Sequence, residues 1–353
     1  MAVRDNLAVD ALVALGWDEG WERAFDPFRV DGLTPARVAI PHRGAFDVLT
    51  AEGEVRARAS GRLRREARST AEFPSVGDWV ALNVGDGRSP TIEAVLPRRT
   101  KFSRRSSDEG DAAREQVVAA NVDVVFIVAS LGDEVRVRTL ERYLTLAWES
   151  GARPVILLTK ADVVDDAESV ADEIAGIGSE VPVLTVSSRS GLGLESVRGQ
   201  LGAGVTGALL GPSGAGKSTL VNALVGDELL ETGELTDRGG GRHTTTRRQL
   251  VPLPGGGLLI DNPGMRELHL WLADVGLEEA FPDIVELEAQ CRFADCRHDT
   301  EPGCAIRAAL EDGRLESERW RRYRALRDEL AELEERLARR SRRRGRPGSG
   351  ARS

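Results

Sequence analysis

A glycine-rich loop carries the strongest chemical signal in the sequence. It reads "GPSGAGKST" (211–219) and has the Gly-x-x-x-x-Gly-Lys-Ser spacing of a phosphate-binding loop. Its glycines would let backbone N–H groups approach phosphate oxygens, Lys217 would reach the β and γ phosphates, and Ser218 would bind Mg²⁺. A glycine-rich turn that happens to precede a helix is the alternative. The candidate nucleotide contacts are Gly211, Pro212, Ser213, Gly214, Ala215, Gly216, Lys217, Ser218 and Thr219.

A second pattern, "TKAD" (159–162), could choose the base. The Asp162 carboxylate can accept two parallel hydrogen bonds from N1 and N2 of guanine, a pair that adenine does not offer. The Lys160 stem can lie along the purine ring. Lys-x-Asp also arises by chance in a charged protein. Its position at the end of an apolar run is what favours a role in base recognition. The candidate base contacts are Thr159, Lys160, Ala161 and Asp162, joined by Ser187 and Ser188 of "VSSRSG" (186–191).

Two segments downstream of the loop could complete a magnesium and phosphate site. "DNPG" (261–264) ends an apolar run, which places Asp261 to hold the Mg²⁺ shell and the Gly264 amide to bond the γ-phosphate. "DRGGGRHTTTRR" (237–248) is rich in glycine and hydroxyl groups, and we expect a mobile switch that offers Thr245 to Mg²⁺. A simple flexible loop is the alternative for this segment.

The cysteines form one cluster near the C-terminus. Cys291, Cys296 and Cys304 are the only cysteines of the chain, and His298 lies among them. Three thiolates and one imidazole are a complete tetrahedral zinc set with no position left for substrate, so the sequence predicts a structural zinc ion. A disulfide is the alternative, and it is disfavoured in the cytosol.

Composition limits the class of protein. A hydrophobic content of 41% and a charged content of 30% are typical of a soluble globular chain. No apolar run approaches the roughly 18 residues of a membrane span, and the N-terminus carries charges where a signal peptide is apolar. We therefore expect a cytoplasmic protein. Its net charge is −9, yet the basic clusters at 98–105 and 336–347 could bind a polyanion locally. A solvated linker and a disordered tail are the alternatives for these clusters.

The elements that must position these residues differ along the chain. Residues 6–25 show helical spacing of apolar side chains. Short alternating runs separated by glycine, proline and polar turns follow, at 36–42, 45–51, 54–60, 78–84 and 91–97. Five such strands without intervening helices indicate a small barrel of the OB type, and a sandwich fragment is the alternative.

The middle of the chain alternates apolar strands with helices. The strand runs are 121–131, 152–160, 181–188, 205–211 and 256–264, and the helical stretches include 137–149, 165–176 and 217–225. This pattern predicts a mostly parallel sheet with helices on both faces. A long helix is predicted at 316–340, and its leucine stripe favours packing within the chain.

The motifs appear in a rotated order. The guanine pattern and the second base loop precede the phosphate loop, which the switch and the Mg²⁺ strand follow. Joining the original termini and opening new ones at a surface loop produces this order without scrambling the fold. Together these are the motifs of a GTPase, and its core then ends just after "DNPG" (261–264), so the cysteine-containing segment follows the switch region directly.

These motifs together resemble one family, the circularly permuted, ribosome small-subunit-dependent GTPase A proteins (RsgA/YjeQ type). The resemblance covers roughly residues 33–310. It rests, in chain order, on "GDWV", "ANVD", "TKAD", "GPSGAGKST", "GRHTTT", "DNPGMRE" and "CRFADCRHDTEPGCA". It implies an OB barrel, a permuted GTPase domain and a zinc domain. It also implies a role with ribosomal RNA in late maturation of the small subunit, with GTP hydrolysis driving release.

The predicted multi-domain α/β architecture divides the chain into five parts. These are a helical extension (1–32), an OB barrel (33–97), the permuted GTPase domain (98–270), a helical zinc-binding domain (271–340) and a basic disordered tail (341–353). We expect a monomer with no membrane attachment.

Three positions depart from the usual pattern of GTPases. Thr159 stands where the family usually has asparagine, and it lacks the amide that would contact the purine and brace the phosphate loop, so we expect weaker nucleotide binding. Asn262 replaces a threonine with little expected effect. Met265 stands where many GTPases place a water-orienting glutamine. Intrinsic turnover should therefore be slow, with His243 as the candidate internal substitute. The alternative is that His243 contacts RNA or orders its loop.

Two other functions remain open on the sequence alone. One is an RNA-binding zinc and OB protein that uses GTP as a ligand switch with negligible turnover. The other is an ATP-dependent enzyme with a phosphate-binding loop, which Asp162 disfavours.

Overall fold

The computed structural model describes residues 10–85, 89–105, 115–132, 135–175, 181–226, 248–261, 277–278 and 280–344. None of the helices within these ranges is both long enough and apolar enough to cross a bilayer.

The N-terminal region contains two helical pieces rather than the single stretch predicted over 6–25. Residues 10–14 are helical, the chain turns at Gly16 with φ +90°, and helix α1 spans Glu19–Arg29. The carboxylate of Asp18 accepts hydrogen bonds from the Gly20 and Trp21 amides and so caps α1. The helix buries Trp21 and Phe25 in a cluster that includes Trp79 of the following domain.

A closed five-stranded barrel follows, which confirms the OB-type prediction and excludes the sandwich. Its strands are β1 (Thr34–His42), β2 (Ala45–Thr50), β3 (Gly53–Ala59), β4 (Trp79–Asn83) and β5 (Thr91–Val95), in the order β1-β2-β3-β5-β4. A short helix α2 (Gly61–Glu66) and a 3₁₀ turn (Thr70–Glu72) lie between β3 and β4. Inward-facing Val38, Val48, Val80, Leu82 and Ile92 are fully buried. The residues that alternate with them in β4, Trp79 and Ala81, are buried on the opposite face, in the cluster with α1.

The basic segment after the barrel is structured rather than a solvated linker. It forms β6 (Lys101–Arg105), which pairs antiparallel with β7 (Glu115–Ala120). Arg98 forms an ion pair of 2.7 Å with the buried carboxylate of Asp78. Lys101 pairs with Glu115 at 2.7 Å. Internal carboxylates therefore neutralise part of the positive charge that the sequence offers here.

The central sheet has six strands, and five of them are parallel. They are β8 (Val124–Ser130), β9 (Arg153–Thr159), β10 (Val183–Thr185), β11 (Thr206–Leu210), β12 (Gln249–Pro252) and β13 (Leu258–Asp261). The order is β10-β9-β8-β11-β13-β12, with β12 antiparallel at one edge. Helices α3 (Val137–Ser150), α4 (Ala167–Ala175), α5 (Leu194–Gln200) and α6 (Lys217–Val225) connect the strands. The mostly parallel sheet is confirmed, and the edge strand β12 was not predicted.

The C-terminal part is helical, as expected. It comprises α7 (Pro282–Ala289), α8 (Ala305–Glu311) and the long α9 (Ser317–Arg344). Trp320, Tyr323, Leu326 and Leu330 of α9 are buried in the same core cluster as residues of α3. Intramolecular packing of the stripe is therefore confirmed over these positions. Residues 345–353 of the basic tail lie outside the described residues.

Candidate nucleotide site and metal centre

One edge of the central sheet collects the predicted nucleotide residues. In parallel strands the carboxyl ends share an edge, and ligands bind there in open α/β sheets. The glycine-rich loop follows β11, residues 159–162 end or follow β9, Ser187 follows β10, and Asp261 ends β13. Thus segments far apart in the chain lie along one rim, and the rotated motif order does not disturb their spatial arrangement.

The glycine-rich loop connects β11 to α6 in the way the sequence predicts. Gly211 has φ +149°, and a Cβ there would lie 2.3 Å from the Val128 carbonyl oxygen, so only glycine fits. Helix α6 begins at Lys217. The Lys217 ammonium donates hydrogen bonds to the carbonyl oxygens of Gly211 and Pro212. The positive charge is therefore held within the loop at the N-terminus of a helix, an arrangement suited to a phosphate.

The loop residues differ in exposure. Ala215 is buried, Gly216 and Ser218 are half-buried, and the backbone turns at Gly214 and Gly216 with positive φ. Gly211 and Lys217 are also buried, and the remaining candidates are exposed: Pro212, Ser213, Gly214 and Thr219.

Asp162 is held in position by a neighbouring loop. The buried Ser187 hydroxyl donates a 2.6 Å hydrogen bond to the Asp162 carboxylate. This bond is the main cause that holds the pKa of Asp162 below its ordinary value. The carboxylate is therefore ionised at neutral pH and exposed, as a group that accepts two N–H donors from guanine must be. Ser188 is half-buried beside it, and the Ala161 amide donates to the Val186 carbonyl.

Lys160 adopts a left-handed backbone conformation with φ +59°. Its side chain passes Gly132, where a Cβ would lie 3.5 Å from the Lys160 Cδ. A left-handed lysine is uncommon, and such strain concentrates at functional sites.

The structure corrects one part of the expectation for Thr159, the loss of a brace on the glycine-rich loop. Its side chain lacks the amide of an asparagine, yet its hydroxyl donates to the Ala215 carbonyl oxygen at 2.7 Å. Thr159 therefore does brace the glycine-rich loop.

Of the magnesium candidates that the structure describes, Asp261 lies on a strand and Ser218 on a helix. β11 and β13 pair in parallel, with Ala208 opposite Ile260, so Asp261 at the end of β13 lies beside the start of the glycine-rich loop. Ser218 is in the first turn of α6. The other predicted residues of this part, Thr245, Gly264 and His243, lie outside the described residues, as do Asn262 and Met265.

The cysteine cluster forms a group of four ligand atoms. Those of Cys291, Cys296, His298 and Cys304 all lie within 4.8 Å of one another. The His298 Nδ1 atom lies 3.6 Å from Cys291 Sγ and 3.5 Å from Cys304 Sγ. A tetrahedral ion with bonds of about 2.3 Å to sulfur and about 2.0 Å to nitrogen requires a separation of about 3.6 Å. The donor set and the spacing therefore fit zinc.

A second layer of contacts fixes the histidine of this cluster. The His298 Nε2 atom lies 3.1 Å from the Glu288 carboxylate, the usual partner for the distal nitrogen of a ligating histidine. Glu288 also accepts from the Tyr323 hydroxyl at 2.8 Å and from Arg327 at 3.0 Å. Trp320 packs edge-on against the His298 ring. The candidate metal centre is thus tied to helix α9.

Helix α9 also docks on the GTPase core. The carboxylate of Glu141 in α3 is 2% exposed and accepts bonds of 3.0 and 2.9 Å from the Arg322 Nε. It lies 3.5 Å from Arg319, which in turn pairs with Asp283 at 2.6 Å. A more exposed pair, Arg142 with Glu329, lies on the same interface.

Sequence reasoning missed Glu288, Glu141 and Arg37. Glu288 lies three residues before Cys291, so an acidic side chain near a ligand could have suggested its role. Arg37 is buried in the barrel, and its guanidinium donates to the carbonyl oxygens of Leu15, Gly77 and Asn121. Nothing in the local sequence indicates this contact between three parts of the chain.

Comparisons with known proteins agree with this geometry. A sequence profile of the family described as RsgA GTPase matches residues 95–271. Over 331 residues the chain is 47% identical to the small ribosomal subunit biogenesis GTPase RsgA of Opitutus terrae, covering 91% of this chain and 90% of that protein. The crystal structure of YjeQ from Thermotoga maritima is similar, with a TM-score of 0.65 and 26% identity over 85% of this chain and 99% of that chain. YloQ, described as a circularly permuted GTPase, has the same fold with a TM-score of 0.60 at 23% identity, covering 86% and 96%.

Proposed function

Because the chain belongs to the RsgA GTPase family, we propose that it binds the small ribosomal subunit and assists its late maturation. As a member of this family it is a GTP hydrolase, and hydrolysis drives its release from the subunit. The named relative is a biogenesis factor of that subunit. We further propose that the chain acts as a monomer in the cytoplasm. Its domain limits are proposed to be those predicted from the sequence.

The observation that carries the choice of nucleotide is the Asp162–Ser187 pair. An ionised carboxylate, fixed by a 2.6 Å hydrogen bond at the same sheet edge as the glycine-rich loop, offers two acceptor oxygens to guanine. Adenine has an amino group and an unprotonated ring nitrogen at the corresponding edge. An ATP-dependent enzyme is therefore disfavoured, because such a carboxylate would face the wrong donors and acceptors.

Two metal ions belong to the proposal. Ser218 and Thr245 would bind Mg²⁺, and Asp261 would hold its water shell while Gly264 contacts the γ-phosphate. When bound, Mg²⁺ would neutralise part of the charge on the phosphates. A zinc ion on Cys291, Cys296, His298 and Cys304 would be structural, because these four residues leave no ligand position open.

GTP hydrolysis needs a group that orients the attacking water. Met265 has a thioether that cannot orient water, so His243 is the internal candidate to do so. We expect the ribosomal subunit to raise turnover by ordering the segment that contains His243.

The base assignment is tested with Asp162→Asn. This variant should bind GTP more weakly and gain affinity for xanthosine triphosphate, because xanthine presents a carbonyl to which an asparagine amide can donate. Asp165→Asn, an exposed neighbour in the same loop, is the matched control. An unchanged preference for GTP over xanthosine triphosphate in Asp162→Asn would refute the assignment.

The cellular role is tested by measuring GTP turnover with and without purified small subunits. Subunits should raise the rate, and binding should weaken as salt rises, since phosphate contacts release counterions. Subunit binding without any rise in turnover would instead support the ligand-switch function.

A further inference from the structure

Thr159 connects two strands that do not pair with each other. It ends β9, whereas the glycine-rich loop follows β11, and β8 lies between them in the sheet. The side chain is 2% exposed, and its hydroxyl lies 2.7 Å from the Ala215 carbonyl oxygen and 3.2 Å from that of Ala129, at the end of β8. The hydroxyl therefore reaches across the end of β8 to the loop.

The geometry of a peptide bond makes this contact informative. No cis peptide occurs in the described residues, so the Ala215 C=O and the Gly216 N–H point to opposite sides of one planar unit. A donor that holds the carbonyl on the side of Thr159 therefore directs the Gly216 N–H away from it. Gly216 has φ +87°, a left-handed conformation that glycine adopts readily.

We infer that Thr159 is a positioning residue for the nucleotide phosphates and takes no part in choosing the base. By fixing the Ala215–Gly216 peptide, it aims the Gly216 N–H into the phosphate cradle. A threonine hydroxyl has a single hydrogen, and its 2.7 Å contact with Ala215 uses it. No donor of the Thr159 side chain is then left for the purine, and base selection is left to Asp162 and its neighbours. The inference depends on the proposed GTP site.

The experiment compares GTP with inosine triphosphate, which lacks the 2-amino group that Asp162 reads. Thr159→Val replaces the hydroxyl with a methyl group of similar size. It should weaken both nucleotides by the same factor, about 10-fold, as expected for one lost hydrogen bond that leaves a buried carbonyl unpaired. The ratio of the two affinities should stay at the wild-type value. Thr159→Ser keeps the hydroxyl and should bind GTP and inosine triphosphate with wild-type affinities.

The stability of each variant is measured beside its nucleotide affinities. The unfolding midpoint of each variant shows whether it is folded at the temperature of the binding assay, and Thr159→Ala replaces Thr159→Val if the valine prevents folding. Unchanged affinities in a folded variant without the hydroxyl overturn the inference. Unequal losses for GTP and inosine triphosphate also overturn it, because Thr159 would then read the base. A wild-type protein that does not prefer GTP over ATP would instead overturn the proposed function.

Discussion

The buried carboxylate of Glu141 should decide how firmly helix α9 is held on the GTPase core. Glu141→Ala would leave Arg322 without its main acceptor and would remove one contact of Arg319, which also contacts Asp283 and the Ala280 carbonyl oxygen. Breaking a fully buried pair costs about 3–5 kcal/mol. The side chain of Arg322 is 18% exposed, so water can partly replace the carboxylate. We therefore expect about 2–3 kcal/mol less stabilisation of the docked helix.

The exposed pair on the same interface provides the matched control. The side chains of Arg142 and Glu329 are 34% and 41% exposed, and an ion pair of this kind contributes about 0–1 kcal/mol. Glu329→Ala should therefore change docking little.

Trypsin cleavage within the arginine-rich helix α9 measures the difference. Cleavage requires local opening, and its rate follows the population of the open form. A loss of 2–3 kcal/mol corresponds to about 30- to 150-fold faster cleavage. For the control we expect less than about 5-fold. Equal protection of the two variants would refute the reasoning, since burial of Glu141 would then contribute nothing to docking.

Three further predictions concern separate contacts. Arg37→Met removes the donors to three backbone carbonyl oxygens, but it also relieves the burial of a charge, which lowers the pKa of Arg37 to about 10. We expect a net loss of about 2 kcal/mol in the free energy of unfolding, measured in urea by tryptophan fluorescence. Exposed Arg58→Met is its control, and equal unfolding midpoints would contradict the prediction. Ser187→Ala should weaken GTP binding several-fold and raise the pKa of Asp162, so an unchanged affinity would remove Ser187 from the base site. Cys304→Ser should lower the zinc content and spare GTP affinity, whereas wild-type protein without stoichiometric zinc, purified without chelator, would show that the cluster has another role.

Local signals predicted much of the fold. Alternation of apolar residues gave the five barrel strands, and the expected helix at 217–225 coincides with α6. These elements depend on neighbours within a few positions, which is the range over which sequence periodicity acts. The four candidate metal ligands are also close in sequence, and the structure brings them together.

What the sequence did not predict depends on contacts between distant residues. The brace from Thr159 to Ala215 spans 56 positions, and the contact from Arg322 to Glu141 spans 181. The absence of an asparagine amide at position 159 led to the expectation that the glycine-rich loop is not braced. Residue type alone does not show that the Ala215 carbonyl oxygen lies within reach of the Thr159 hydroxyl. Strand β12 has only four residues and became a strand through pairing with β13.

The rotated motif order has a mechanical consequence for the C-terminal region. The chain leaves the sheet at Asp261, beside the glycine-rich loop, and continues toward α7 and the candidate metal centre. Helix α9 then returns to the GTPase core and docks on α3 through Glu141. The region of the candidate metal centre is therefore joined to the core by the chain at the phosphate edge, and α9 also contacts α3 through buried apolar side chains and a buried ion pair. Since Glu288 connects His298 to α9, loss of a metal bound at this centre should loosen the contact of α9 with α3, while the chain connection after Asp261 persists.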